Sequence, residues 1–282
     1  MKLEEWLQQG EAQLRAGPHP ERARRDAETL LLYVMRCERA ALLVRWKEVL
    51  DAQEAASYAA LIERRMAGEP IQYITGESEF YGLPFHVTRE VLIPRPETEH
   101  LVEKALELAA CFQAPRIVDV GAGSGAIAVA LACKLPQAAV TAIDLSSSAL
   151  TIARENAERN GVSGGIRFLR GDLLAPVKEE RFEIVVSNPP YVSAGDRAGM
   201  AVEVREFEPA LALFAGIDGL DVYRRLIPSA FTSLAPGGFL ALEIGFGQEQ
   251  AIARLLMDAG FESIEFVPDL QKIPRVACAR RP

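Results

Sequence analysis

Ile117-Val118-Asp119-Val120-Gly121-Ala122-Gly123-Ser124-Gly125-Ala126 is the stretch that decides the fold. Ile117 to Val120 reads as a buried strand, the alternating glycines as a tight loop, and Gly125 to Leu135 as a helix. A strand that turns through glycines into a helix puts the loop at its carboxyl end, where an open α/β sheet binds its ligand. Without Cβ atoms at Gly121, Gly123 and Gly125 the backbone can approach that ligand, and the helix N-terminus faces it. Gly121-x-Gly123-x-x-Ala126 also satisfies a dinucleotide fingerprint, so the loop alone indicates only a nucleotide-like ligand.

Strands and helices keep alternating downstream. Val140 to Ile143, Ile166 to Leu169, Phe182 to Val186 and Phe239 to Ile244 read as strands. Ala149 to Asn160 and Gln248 to Ala259 read as helices, and Ser263 to Val267 with Val276 to Ala279 as a closing strand pair. This predicts an α/β fold: a Rossmann-like, doubly wound, mainly parallel sheet covered on both faces. Upstream, Arg95-Pro96-Glu97-Thr98-Glu99 opens a helix through Leu108, with proline and acids suited to a first turn. Residues 76–94 read as a hairpin linker, with strands at Glu79 to Val87 and Val91 to Ile93 around a Gly82-Leu83-Pro84 turn. Residues 1–75 carry only helical spacings (Leu3, Trp6, Leu7 and Leu14; Leu30, Leu31, Val34 and Met35; Tyr58, Leu61 and Ile62). The expected organisation is a small all-helical domain at 1–75, the linker at 76–94, and the α/β domain at 95–282.

Bulk properties narrow the function. The formal net charge of −8 argues against affinity built on neutralising many phosphates. Four cysteines without a CxxC pair suggest neither a disulfide frame nor a zinc site, and the three histidines share no ligand spacing with them, so no metal is expected. The N-terminal helix contains acids and does not resemble a signal peptide, and no apolar run approaches a membrane span. A monomeric cytoplasmic protein is expected, without direct nucleic-acid or membrane binding.

The chemistry is carried by Asn188-Pro189-Pro190-Tyr191, directly after the Phe182 to Val186 strand. Two prolines stiffen the backbone and donate no N–H. The Asn188 side-chain carbonyl and a neighbouring backbone carbonyl can accept both hydrogens of an NH2 group, while Tyr191 offers a face for a flat substituent. The simpler reading is a strand-ending turn. Asp144, at the tip of the second strand, suits both hydroxyls of a ribose, or else caps the following helix, a role open also to Ser146–Ser148. Asp172 can accept from an adenine amino group with Leu173 covering the base; a plain turn aspartate is the alternative. Asp119 either orients the loop or meets a ligand ammonium. Loop and acids suit S-adenosylmethionine as well as NAD. The Asn-Pro-Pro-Tyr clamp favours the methyl donor, because hydride transfer needs no amine clamp.

From about residue 70 onward the chain resembles the protein-(glutamine-N5) methyltransferases that modify peptide-chain release factors. The resemblance rests on Pro70-Ile-Gln-Tyr73-Ile-Thr-Gly76, Glu79-Phe80-Tyr81-Gly82, Leu92-Ile-Pro94-Arg95-Pro96-Glu97-Thr98-Glu99, the glycine loop and Asn188-Pro-Pro-Tyr191. It continues through Glu203-Val204, Phe207-Glu208-Pro209, Asp218-Gly219-Leu220, Leu242-Glu243-Ile244-Gly245 and Asp269-Leu270. It departs at Gln271-Lys272-Ile273-Pro274-Arg275, where the family usually shows a glycine and an acid before the arginine. The resemblance implies a class I methyltransferase fold and a methyl group moved from S-adenosylmethionine, leaving S-adenosylhomocysteine. It implies as substrate the glutamine amide of the Gly-Gly-Gln loop of a class I release factor, with the helical domain holding that factor. Asn188, Pro189, Pro190 and Tyr191 would form the catalytic clamp. Asp119, Gly121, Ala122, Gly123, Ser124, Gly125, Asp144, Asp172, Leu173 and Asn188 would hold the cofactor. The alternatives are an adenine-N6 DNA methyltransferase, which shares the clamp, and a glutamine methyltransferase of a ribosomal protein.

Overall fold

The computed structural model describes all 282 residues, the side chain of Leu43 excepted. The chain forms two compact units: Met1–Gly76 with Met200–Phe207, and Glu77–Gly199 with Glu208–Pro282.

The first unit contains α1 (Leu3–Leu14), α2 (Ala23–Met35), α3 (Arg39–Val44), α4 (Ala52–Met66) and α5 (Ile71–Thr75). The apolar spacings converge on one core, where Leu3, Leu7, Leu30, Leu31, Tyr58 and Ile62 are almost fully buried. Asp51 and Glu54 form a reciprocal capping box that starts α4. A methyl group on Gly10 would lie 2.2 Å from the Tyr58 hydroxyl, so glycine is what lets α1 approach α4. Gly68-Glu69-Pro70 separates α4 from one further helical turn, α5. Arg65 is buried, with its Nε donating to Asp26 (2.7 Å) and its Nη1 to the Glu69 carbonyl (2.9 Å).

The second unit opens with a hairpin, β1 (Glu77–Phe80) and β2 (Leu83–His86). Its turn is Tyr81-Gly82, not the expected Gly82-Leu83-Pro84. Both turn residues have positive φ, 55° and 72°, the signature of a two-residue primed turn that matches strand twist. That register pairs Pro84 with Glu79 inside β2. Val91 to Ile93 is no strand, although Val91 and Ile93 are buried. A 3-10 turn, Pro96–Thr98, leads into α6 (Glu99–Ala109).

The sheet then builds through β3 (Arg116–Val120), α7 (Ala126–Lys134), β4 (Ala139–Asp144), α8 (Ser147–Arg159), β5 (Ile166–Arg170) and β6 (Phe182–Ser187). Residues 200–207, with helix α9 (Val202–Phe207), belong to the helical unit despite this position in the chain. There Glu203 pairs with Arg65 at 2.5 Å and with Arg22 at 3.4 Å. The second unit resumes with α10 (Asp221–Ser233), β7 (Leu234–Glu243), α11 (Glu249–Asp258), β8 (Glu262–Pro268) and β9 (Pro274–Arg280).

The strand order is β5-β4-β3-β6-β7-β9-β8. The first five strands run parallel, and β9 is antiparallel to both β7 and β8. The sheet is therefore mainly parallel and doubly wound. The chain runs outward from β3 through β4 to β5 and then crosses back to β6, so the switch point lies between β3 and β6. That is where the crevice of such a sheet takes its ligand.

Candidate active site

The glycine loop leaves β3 at this switch point. Its amides are largely spent within the protein: Gly121 and Ala122 donate to the Ile143 carbonyl (2.8 and 3.0 Å), Gly125 to the Ala122 carbonyl (2.8 Å) and Gly123 to Asp144 (2.8 Å). Asp119 is fully buried at the end of β3, and its Oδ2 accepts from the amide of Ala128 in the first turn of α7 (3.1 Å). A pyrophosphate needs free amides and the positive end of a helix dipole. Here the amides are taken and a carboxyl occupies the helix end, so the loop is ill suited to a dinucleotide.

The same features suit a ligand without phosphate that carries an ammonium group and a ribose. A Cβ added at Gly121 (φ +77°) or Gly123 (φ +54°) would meet nothing within 4 Å, so the cradle is open on the ligand side. Asp119 Oδ1 is buried with no hydrogen-bond partner, and burial raises its carboxyl to about 7. An ammonium placed there would supply the missing partner and favour the charged form. Gly125 differs from the other two glycines: at φ +80° a Cβ would press on Ala153 at 3.0 Å, so this glycine serves helix packing. Ala122 and Ser124 are both buried in the loop, and the Ser124 carbonyl accepts from Asn156 (2.9 Å).

Asp144 ends β4, with its oxygens accepting from the amides of Gly123 and Ser146, each at 2.8 Å. Each oxygen keeps a second lone pair for a hydroxyl. The cap of α8 is Ser146, whose Oγ accepts from Ala149, so Asp144 does not fill that role. Asp172 follows β5, is exposed and is paired with Arg225 of α10. Its neighbour Leu173 adopts positive φ (50°) and packs against the sheet core.

The segment expected to form a clamp follows β6, one strand over from β3. Ser187, the last residue of β6, donates its hydroxyl to the Val120 carbonyl at 2.6 Å, which ties the start of Asn188-Pro189-Pro190-Tyr191 to the start of the glycine loop. Asn188 Nδ2 donates to Thr98 Oγ1 (3.0 Å), and Thr98 donates to Glu243 Oε2 (2.6 Å). The Tyr191 hydroxyl donates to the other Glu243 oxygen at 3.4 Å. Burial is the main cause that raises Glu243 to about 7 and moves Tyr191 well upward. Gln248 braces the loop from behind: its Nε2 donates to the Tyr191 carbonyl (3.1 Å) and its Oε1 accepts from the Gly245 amide (2.9 Å). Gly245 must lack a side chain, since a Cβ would sit 3.0 Å from the Tyr191 ring.

Three further supports lie outside the glycine loop and the Asn-Pro-Pro-Tyr stretch. Asn156 of α8 accepts from the His86 amide (2.6 Å) and donates to the His86 carbonyl (2.9 Å), so it joins the hairpin to the glycine loop. Arg95 donates through one nitrogen to both oxygens of Glu208, the longer bond 2.6 Å, and gathers two of the family-like motifs at one place. In the terminal loop, Asp269 accepts from the amides of Gln271 (2.8 Å) and Ile273 (3.0 Å) and from Arg275 Nε (2.9 Å). That carboxylate closes the loop where the chain departs from the family pattern, with Lys272 at positive φ (65°).

Residues 5–76 match the PrmC N-terminal domain family, and residues 98–210 match the methyltransferase small domain family. A curated relative from Deinococcus radiodurans, named release factor glutamine methyltransferase, is 44% identical over 283 residues, covering 100% of this chain and 99% of its own. One of the same name from Koribacter versatilis is 44% identical over 260 residues, 92% of this chain and 91% of the relative. Among solved structures, the human Mettl16 catalytic domain in complex with an RNA hairpin covers 85% of this chain and 84% of its own, with a TM-score of 0.57 at 17% identity. A Thermus thermophilus 16S rRNA methyltransferase gives 0.55 at 22% identity, over 73% of this chain and 50% of its own. These structural likenesses establish the methyltransferase fold.

Proposed function

Since the chain belongs to the release factor glutamine methyltransferase family, we propose that it methylates the side-chain amide nitrogen (N5) of the glutamine in the Gly-Gly-Gln loop of a class I release factor. The observation that supports this reading is the Ser187–Val120 hydrogen bond, which ties the start of the Asn188-Pro189-Pro190-Tyr191 stretch to the start of the glycine loop. S-adenosylmethionine, once bound, supplies an electrophilic methyl group on a positively charged sulfur. Asp119, Gly121, Gly123 and Asp144 would hold it, with Asp172 and Leu173 at the end of β5 toward its base.

The residues of this chain have the task of orientation. An amide nitrogen is a weak nucleophile because its lone pair is delocalised into the carbonyl. Asn188 Oδ1 and the Pro189 carbonyl accept the two N–H groups, while Tyr191 flanks the planar amide; as the N–C bond forms, the sulfur leaves with the electron pair of the C–S bond, and the nitrogen gives up one proton to water. Holding the nitrogen in line with the departing sulfur is worth at most roughly 7–11 kcal/mol. An ester or acid in place of the glutamine would leave an acceptor of the clamp unpaired, a loss of roughly 1–3 kcal/mol per group. The helical unit would hold the release factor.

The test offers the protein labelled methyl donor with an unmethylated release factor, the same factor with its Gly-Gly-Gln glutamine replaced, a ribosomal protein preparation and duplex DNA. Label on the first alone supports the assignment. Label on DNA or on a ribosomal protein overturns it. Asn188→Ala should lose most transfer while donor binding persists, and near-normal turnover of that variant would remove the clamp from the mechanism.

A further inference from the structure

A side-chain amide is a clamp for NH2 only when its oxygen faces the substrate. Asn188 has two nearly isosteric orientations. In one, Oδ1 accepts from the substrate; in the other, its own NH2 confronts the substrate's NH2, and donor meets donor. Something must choose between them.

We propose that Thr98 and Glu243 are positioning residues that set the orientation of the Asn188 amide; the inference rests on the clamp reading above. Thr98 is 4% exposed and Glu243 2%, so water is not at hand to satisfy either of them. Glu243 as a carboxylate can only accept, and it takes the single Thr98 proton at 2.6 Å and the Tyr191 proton at 3.4 Å. With its proton committed, Thr98 Oγ1 presents only lone pairs to Asn188 at 3.0 Å. It can then be met only by the NH2 end, which turns Oδ1 outward. The relay joins the first turn before α6, the end of β6 and the end of β7, so its geometry is set by the sheet itself.

The direction of the relay depends on the charge of Glu243. A protonated Glu243 can donate to Thr98, which frees the threonine proton for Asn188 and favours the reversed amide. The groups facing Glu243 are Glu97 from the 3-10 turn, which disfavours its charge, and Arg275 of β9, which favours it. Tyr191 donates to its side chain, and Tyr223 of α10 donates to its main-chain carbonyl at 2.7 Å. Activity should therefore fall as the pH drops through the range in which Glu243 takes up its proton.

The experiment compares steady-state methylation of an unmethylated release factor by wild type, Thr98→Val, Thr98→Ser and Asn188→Ala, with kcat followed from pH 5.5 to 9. Thr98→Val keeps shape and removes the hydroxyl. It should lower kcat about 10- to 100-fold, as expected for a misplaced reacting group, with the KM for the methyl donor little changed. It should also lose the acid limb of the wild-type pH profile. Thr98→Ser restores the hydroxyl and should recover most of kcat and the acid limb together. Loss of activity in Asn188→Ala with full activity in Thr98→Val would overturn the relay and leave the clamp standing. Full activity in both would overturn the clamp itself. Equal loss in Thr98→Val and Thr98→Ser, or an unchanged acid limb in Thr98→Val, would assign Thr98 a purely structural role and also overturn the relay.

Discussion

Replacing Asp119 with asparagine should make the α/β unit respond differently to pH. The Asp119 carboxyl is raised from 3.8 to about 7, chiefly by burial, with the amide of Ala128 working in the opposite direction and Asp144 adding to the rise. In the unfolded chain the group titrates near its ordinary value. Between those two pH values the folded state therefore holds a proton that the unfolded state has lost. Stability falls as pH rises through that window, and the full cost is present above pH 7. At about 1.4 kcal/mol per pH unit, the window corresponds to about 4 kcal/mol, of which about 2 kcal/mol falls between pH 5 and pH 7, where the folded-state carboxyl is half ionised. The asparagine of Asp119→Asn keeps an acceptor for the Ala128 amide and cannot titrate. Its buried NH2 lacks a partner and costs roughly 1–3 kcal/mol, the same at every pH. The assay is urea unfolding at several pH values, followed by far-ultraviolet circular dichroism. The variant should gain about 2 kcal/mol on the wild type from pH 5 to pH 7, whatever its absolute stability. Parallel pH curves would refute the assignment of a raised, buried carboxyl at the end of β3.

Gly125→Ala should destabilise the α/β unit by about 1–3 kcal/mol in the same unfolding assay, because φ is +80° and the new methyl meets Ala153 at 3.0 Å. Gly123→Ala places its methyl in open space, so its thermal stability should fall less, with the larger effect on methyl-donor affinity measured by calorimetry. Arg65→Met removes the partner of Asp26 and of Glu203 inside the helical unit and should cost about 3–5 kcal/mol, seen as an earlier tryptophan transition.

Residues whose role depends on neighbours in sequence were legible. The strand–glycine–helix passage from Ile117, the alternation beyond it and the Asn-Pro-Pro-Tyr stretch after Phe182–Val186 each have a local cause, and the sheet carries them where local reading places them. The hairpin turn lies one residue before the expected one, because Gly82-Leu83-Pro84 matches a turn as well as Tyr81-Gly82 does, and only pairing across the strands decides. In helix α10, Tyr223, Leu226, Ile227 and Ala230 keep helical spacing, but Pro228 interrupts the template that marks a helix in sequence. In the helical unit, Glu203 of α9 meets Arg65, 138 positions earlier in the numbering. No periodicity encodes such a pairing.

The polar supports of the site left a different trace. Asp119 interrupts Ile117-Val118-x-Val120, and Glu243 interrupts Leu240-Ala241-Leu242-x-Ile244. Each acid stands near the carboxyl end of a strand whose apolar neighbours show burial on both faces. A carboxylate cannot enter such a strand without a cost of several kcal/mol unless it finds donors or takes up a proton. Both outcomes occur here: Asp119 meets the Ala128 amide, Glu243 meets Thr98 and Tyr191, and both carboxyls are raised to about 7. An acid inside an apolar strand run, at the end that faces the ligand crevice, is thus a signal that the sequence itself carries. It marks the strand end and predicts a proton-sensitive group, but it does not name the donors. For Glu243 those donors come from segments 145 and 52 positions away, which is why the orientation of Asn188 emerged only from the folded chain.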